Sequence, residues 1–187
     1  MRTPVPLRRA YKLINHGPTT LITSAAAERR NVMAAAWVMG LDFEPARLAA
    51  VIASGTHTRV LVEETGEFVV NVPTLSMIDT VYAVGKVSGA DEDKFEQHGL
   101  VTAPASVVSA PLLEGCAAWL ECRVIREVAI EEKYDLFVAD VVAAWADDAS
   151  FVDGLWRFPD DAHRTLHHLS AGVFLTSGDV VQAKKGV

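Results

Sequence analysis

Gly115-Cys116-Ala117-Ala118-Trp119-Leu120-Glu121-Cys122-Arg123-Val124-Ile125-Arg126-Glu127 decides the fold class. Leu120, Cys122 and Val124 fall on one side, Glu121, Arg123 and Glu127 on the other. This period-two pattern predicts a strand with one buried face. Tyr134–Trp145 follows as a long apolar strand. Asp153-Gly154, between Phe151-Val152 and Leu155-Trp156, is the dipeptide that a tight hairpin turn requires, because both central residues need positive φ.

Working back toward the start, Thr19–Ala25 and Val32–Met39 read as two strands joined by the polar turn Ala27–Asn31. Leu48–Ala53 is a short apolar strand. Arg59–Thr65 predicts a two-turn helix stopped by Gly66. Glu67–Val72 is a strand ended by Pro73. Ser76 with Asp79 resembles a capping box ahead of Ile78, Val81 and Tyr82, in a helix closed by Gly85. Asp91–Gln97 predicts another short helix, and Ala103–Leu113 a surface crossing. Evenly spaced antiparallel strands with few helices argue for a β-barrel with α additions and against a doubly wound parallel sheet. The chain of 187 residues suits a single domain, 1–187, with terminal extensions at 1–12 and 179–187.

Half the residues are apolar, which suggests a large core or a buried subunit interface. No run reaches the roughly 20 apolar residues of a membrane span, and the segment Met1–Arg9 lacks a signal peptide's apolar centre. A cytoplasmic protein is expected. The net charge of −7 argues against nucleic-acid binding, which needs a basic face. Cys116 and Cys122, six residues apart in an extended run, lie too far apart to pair.

Ser54-Gly55-Thr56-His57-Thr58-Arg59 ends one strand and opens a helix. Its hydroxyls, helix-start amides and guanidinium suit a phosphate monoester. The other reading makes Thr58 a cap, Ser54 and Gly55 a turn, and Arg59 a solvated first-turn residue. In Asn31-Val32-Met33-Ala34-Ala35-Ala36-Trp37, three successive alanines weaken strand packing. They admit either a flat ring close to the backbone, with Thr23, Ser24 and Asn31 at its rim, or a tightly packed barrel wall. Lys86-Val87-Ser88-Gly89 with Lys94 offers a further anion site, or merely solvated lysines. His163 and His167 at i, i+4, beside His168, could suggest metal binding, but no third ligand at a telling distance accompanies them, so no metal site is expected.

In this order these pieces resemble the flavin reductase-like family, the FMN-binding split barrels related to flavoredoxin. The resemblance rests on Asn15-His16-Gly17-Pro18, Thr23-Ser24, Asn31–Trp37, Ser54–Arg59 and Phe68–Pro73. It continues through Ser88-Gly89, Asp93-Lys94-Phe95 and Glu114-Gly115-Cys116. It implies a mainly β split barrel with short helices, forming a homodimer with FMN near the interface. Asn31–Trp37 would flank the isoalloxazine, and Ser54, Thr56, Thr58 and Arg59 would hold the phosphate. Asn71 and Val72 would line the ring's other side, Ser88 and Lys94 would lie near the phosphate, and His167 would sit by the flavin cleft in a catalytic role. Relatives often carry Thr or Ser where Ala34 or Ala35 stands, so backbone amides would serve the ring here. The implied activity takes hydride from NADH or NADPH and passes electrons to free flavin, a ferric complex or a partner protein. The alternative is a non-catalytic FMN or haem carrier, or a flavin-based sensor. No glycine pattern of a dinucleotide fold is present, so the nicotinamide would bind transiently over the flavin.

Overall fold

The computed structural model describes residues 6–13 and 17–184, so Asn15 and His16 lie outside it. Thirteen strands and four α-helices follow one another among the described residues. Strands β1 (Thr20–Ala26), β2 (Arg29–Ala35), β3 (Val38–Phe43) and β4 (Ala46–Val51) precede helix α1 (His57–Thr65). Then come β5 (Glu67–Val72), α2 (Ile78–Val84), α3 (Lys94–Gln97), β6 (Thr102–Ala103), β7 (Leu112–Leu113) and β8 (Ala118–Ile125). Helix α4 (Val128–Tyr134), β9 (Leu136–Ala146), β10 (Phe151–Val152), β11 (Leu155–Trp156), β12 (Leu166–Ser170) and β13 (Val173–Thr176) complete the order.

The main sheet has seven strands in the order β2-β1-β5-β8-β9-β4-β3. Its pairings are antiparallel. The end strands β2 and β3 are separated in the chain only by Ala36 and Trp37. Ile22, Ala35, Val38, Ala50, Phe68, Cys122, Phe137 and Ala139, from all seven strands, share one buried cluster. The sheet therefore curls upon itself around that core, as a split barrel does. Leu120, Cys122 and Val124 point into it, as the alternation predicts.

The outer face is covered in two places. Leu21 and Val32 pack against Val81 and Val84 of α2, Phe95 of α3 and Leu166. The 103–113 crossing lays Val108 and Ala110 over Val69. This crossing corrects one expectation: Glu121 lies on the outward side of β8, yet it is fully buried. Its carboxylate accepts from the Ser106 amide at 2.9 Å and the Ser106 hydroxyl at 2.8 Å. It also accepts from the amides of Val107 at 2.6 Å and Val108 at 3.2 Å, and from the Trp145 indole at 2.9 Å. Burial alone would raise the carboxyl's pKa. These donors outweigh it and hold the group at about 2.

Other local expectations also shift. The run Val32–Met39 is not one strand but two, broken at Ala36-Trp37, where the barrel turns its corner. The turn after β1 is only Ala27-Glu28, with Ala27 at φ 51°. Tyr134 ends helix α4 instead of opening a strand, and Asp135, at φ 56°, caps that helix. Ser76 does not cap α2; its hydroxyl pairs with that of Thr74 at 2.7 Å. Gly66 closes α1 in the left-handed conformation, and Asp153-Gly154 makes the hairpin between β10 and β11. Cys116 and Cys122 are buried free thiols, and burial raises the pKa of both, that of Cys122 to about 12.

Candidate functional site

Three hollows meet around the end of β2, and Ala34 lines all of them. The first, of about 370 Å³, lies between β2, the start of α1 and the 84–89 turn. Asn31, Thr56, Thr58, Ser88 and Lys94 line it, and no carboxylate does among the described residues. The strand and helix are tied together here, since Asn31 Nδ2 donates to Thr58 Oγ1 at 2.8 Å. Thr56 is the N-cap and accepts from the Arg59 amide at 3.3 Å. The amides of His57 and Thr58, both lining residues, have no intrahelical acceptor. Gly89 passes so close to Asn31 that a Cβ would overlap its carboxamide.

Lys94 is buried, and Nζ donates to Val32 O at 2.9 Å and Val84 O at 2.8 Å. Burial lowers its pKa. An ammonium has three protons, so two backbone bonds leave one for the hollow that Lys94 lines. Helix-start amides, hydroxyls and a buried ammonium make this hollow suited to a phosphate monoester.

The second hollow, of about 330 Å³, is a shelf formed by Met33, Ala34, Ala35, Ala36 and Trp37, with Val51, Ala53 and His168 around it. The alanines thus border open space, with Ala34 and Ala36 half-buried. Of the two readings of the triple alanine, this favours a platform that a flat group can approach. The third hollow, of about 290 Å³, lies between Ala34–Ala36, helix α2 and the β12–β13 hairpin.

Several residues expected at the site lie elsewhere. Arg59 does not reach the phosphate hollow. Its Nε donates to Glu63 at 2.7 Å, Nη1 to Asp135 at 2.5 Å and Nη2 to Glu131 O at 3.1 Å. Its charge also lies 5.1 Å from the centre of the Phe137 ring. The Glu63 hydrogen bond leads the effects that raise its pKa. The guanidinium is a clasp joining α1 to the end of α4. Ser54 points its amide at Asp135 Oδ1, at 3.1 Å, and lines none of the three hollows.

Thr23, Ser24, Val32 and Asn71 are buried, and neither they nor Val72 line the hollows. Asn71 donates to Leu21 O at 2.9 Å and accepts from the Leu113 amide at 2.8 Å, while Thr23 donates to Pro111 O at 2.6 Å. These groups hold the crossing against β1 and β5. Val72 O accepts from the Ala117 amide at 2.8 Å.

His167 itself does not line the three hollows. Neighbours in a strand face opposite ways, and His168 lines the shelf and the third hollow, whereas His167 sets Nδ1 3.2 Å from Gly17 O. The His168 ring meets Phe174 edge-on at 5.2 Å. Tyr82, Gly85 and Gly172 also line the site. Nothing in the sequence near them signals it, because the β12–β13 hairpin and α2 meet only in the fold. No cluster of three His, Cys, Asp or Glu side chains suited to a metal occurs among the described residues.

The chain matches the model of the Flavin reductase like domain over residues 14–161. A relative from Escherichia coli K12, Uncharacterized protein YddH, is 47% identical over 183 residues, covering 96% of this chain and 97% of its own. Among solved structures, the FMN-binding domain of a flavin reductases-like enzyme from Shewanella baltica OS155 is 38% identical with a TM-score of 0.87, over 97% of each chain. Flavoredoxin of Desulfovibrio vulgaris (Miyazaki F), 23% identical with a TM-score of 0.84 over 99% of this chain and 97% of that one, shares the fold. The chain belongs to the flavin reductase-like family and has its FMN-binding split-barrel fold.

Proposed function

We propose that the protein is an FMN-dependent oxidoreductase that accepts hydride from NADH or NADPH and delivers electrons to free flavin, a ferric complex or a partner protein. The observation that carries this is the contiguity of the phosphate hollow and the alanine shelf. They share Met33 and Ala34 and so offer one seat to a molecule with a dianionic end and a flat end. Thr58, Lys94 and the first-turn amides of α1 would hold the phosphate. Ala34–Ala36 would let the ring lie against the strand, where backbone amides orient its polar edge. Bound FMN supplies the hydride and electron chemistry, and the protein supplies position and electrostatics. His168 stands where it can meet a nicotinamide over the ring.

The same reading includes a homodimer. Trp37, Met39, Leu41 and Phe43, on or beside the edge strand β3, are exposed, Phe43 by 92%. Such an exposed row is suited to a subunit contact, and a second copy covering it would wall the shelf beside Trp37. Two buried free thiols suit a reducing cytoplasm. No helix among the described residues is long and apolar enough to cross a membrane.

The purified protein should be yellow or take up added FMN, and should bleach anaerobically with NADH or NADPH. Bound FMN that neither nicotinamide reduces would make it a carrier or sensor. A colourless protein that ignores FMN would remove both readings. Sedimentation should give a dimer; a monomer at micromolar concentration would withdraw that part.

A further inference from the structure

The β12–β13 hairpin is pinned at its base by hydrogen bonds and held at its tip by apolar contact. At the base, the Thr19 amide donates to Leu166 O at 2.8 Å, and the His168 amide donates to Thr19 Oγ1 at 2.8 Å. Arg164 Nη1 donates to Ser177 O at 2.8 Å, and the Ser177 amide to Thr165 O at 3.0 Å. Beyond His168 the register slips before Ser170, and Ala171 and Gly172 then turn at φ 47° and 81°. Among the described residues, no hydrogen bond joins 171–174 to anything outside the hairpin.

We propose that this tip, residues 169–174, is a flap over the flavin cleft, latched by Gly172 on the Tyr82 ring and lifted to admit the hydride donor. It rests on the flavin seat and the donor proposed above.

The latch is a matter of fit. A Cβ on Gly172 would come within 2.9 Å of Tyr82 Cε2, and its positive φ disfavours any side chain there. Phe174 adds a partly buried contact with the cluster that holds Val81 and Val84 of α2. On the outer side Val173 and Leu175 are exposed. A segment held by a few apolar contacts opens at far lower cost than one tied by buried hydrogen bonds. The slip at His168 and Ser170 supplies the hinge, since the ladder is already interrupted there.

The closed tip leaves too little room for a donor. The hollow beneath it holds about 290 Å³, with Gly172 and Phe174 as its hairpin wall. Pockets that enclose a drug-sized ligand run from roughly 300 to 1,000 Å³, and a nicotinamide dinucleotide is larger than such a ligand. Lifting the tip widens the cleft, and reseating it excludes water from the ring. His168 lies on the base side of the hinge, fixed to Thr19, so the roof moves while that histidine stays in place.

The test uses FMN-loaded protein with Gly172→Ala and Tyr82→Leu, two independent ways to undo the latch. Residue-resolved hydrogen exchange should quicken by about tenfold or more at 171–174 in both variants, with 165–168 near the parent. Anaerobic bleaching at low NADH or NADPH should quicken by about threefold or more, because the donor no longer waits for the tip to lift. Tip amides as protected in both variants as in the parent would overturn the latch. A loosened tip with bleaching unchanged or slower at low donor would overturn the flap. FMN that binds but is bleached by neither donor, in parent and variants alike, would overturn the oxidoreductase reading and the flap's role with it. Failure of the parent to bind FMN would overturn the flavin seat itself.

Discussion

Asn31 Nδ2 lies 2.8 Å from Thr58 Oγ1, and this one bond joins strand β2 to the first turn of α1 with both partners buried. Both residues line the hollow proposed for the phosphate. Asn31→Leu leaves the Thr58 hydroxyl buried without that donor and should cost about 1–3 kcal/mol of stability. FMN affinity should fall more than riboflavin affinity, since the phosphate end is disturbed. Gly89→Ala should act similarly, because its Cβ must push the Asn31 carboxamide aside. Urea denaturation with flavin fluorescence titrations checks both; equal losses for FMN and riboflavin would speak against a phosphate seat here.

Arg59 clasps α1 to the end of α4 and lies outside the hollow proposed for the phosphate. Its side chain is largely buried, while those of Glu63 and Asp135 are partly exposed, so the full cost of breaking a buried pair does not apply. Arg59→Ala should lower stability by about 2–4 kcal/mol. FMN and riboflavin affinities should then change by the same factor. A loss confined to FMN would return Arg59 to the phosphate.

Glu121 predicts an acid-sensitive lock. Its folded pKa, about 2, lies below the ordinary carboxyl value of 4.5. The ionised form therefore contributes stability at and above pH 5, and that contribution is lost as pH falls toward 2. The shift corresponds to something on the order of 3 kcal/mol. Glu121→Gln should be much less stable than the parent at pH 6, and the gap should narrow steadily below about pH 4.5. A pH-independent gap in thermal or urea unfolding would contradict this.

The two adjacent histidines separate cleanly. His168→Ala should slow anaerobic bleaching by NADH or NADPH by about tenfold or more, as loss of a positioned polar contact does, while FMN still binds. His167→Ala should alter stability by about 1 kcal/mol and leave bleaching near the parent rate. The reverse pattern would restore the assignment expected from sequence.

The strand periodicity of β8, the Asp153-Gly154 hairpin and the Gly66 stop were legible because each depends on residues within a few positions of one another. So were the hydroxyl-rich turn and the alanine strand as features. What could not be read was direction. Arg59 turns away because Asp135 lies 76 positions off, and Asn71 is engaged by Leu113, 42 positions on. Glu121 is outward-facing by alternation, but whether a segment covers it depends on the path of residues 103–113. His168 and Gly172 join the site only because β12–β13 folds back over α2.

A crystal structure of the protein grown with FMN tests the central claim most directly. The account predicts the phosphate beside Thr58, Ser88 and Lys94 and the tricyclic ring resting on Ala34–Ala36, with Arg59 untouched. Density for the phosphate at Arg59, or an alanine shelf filled by the chain's own side chains, would contradict it.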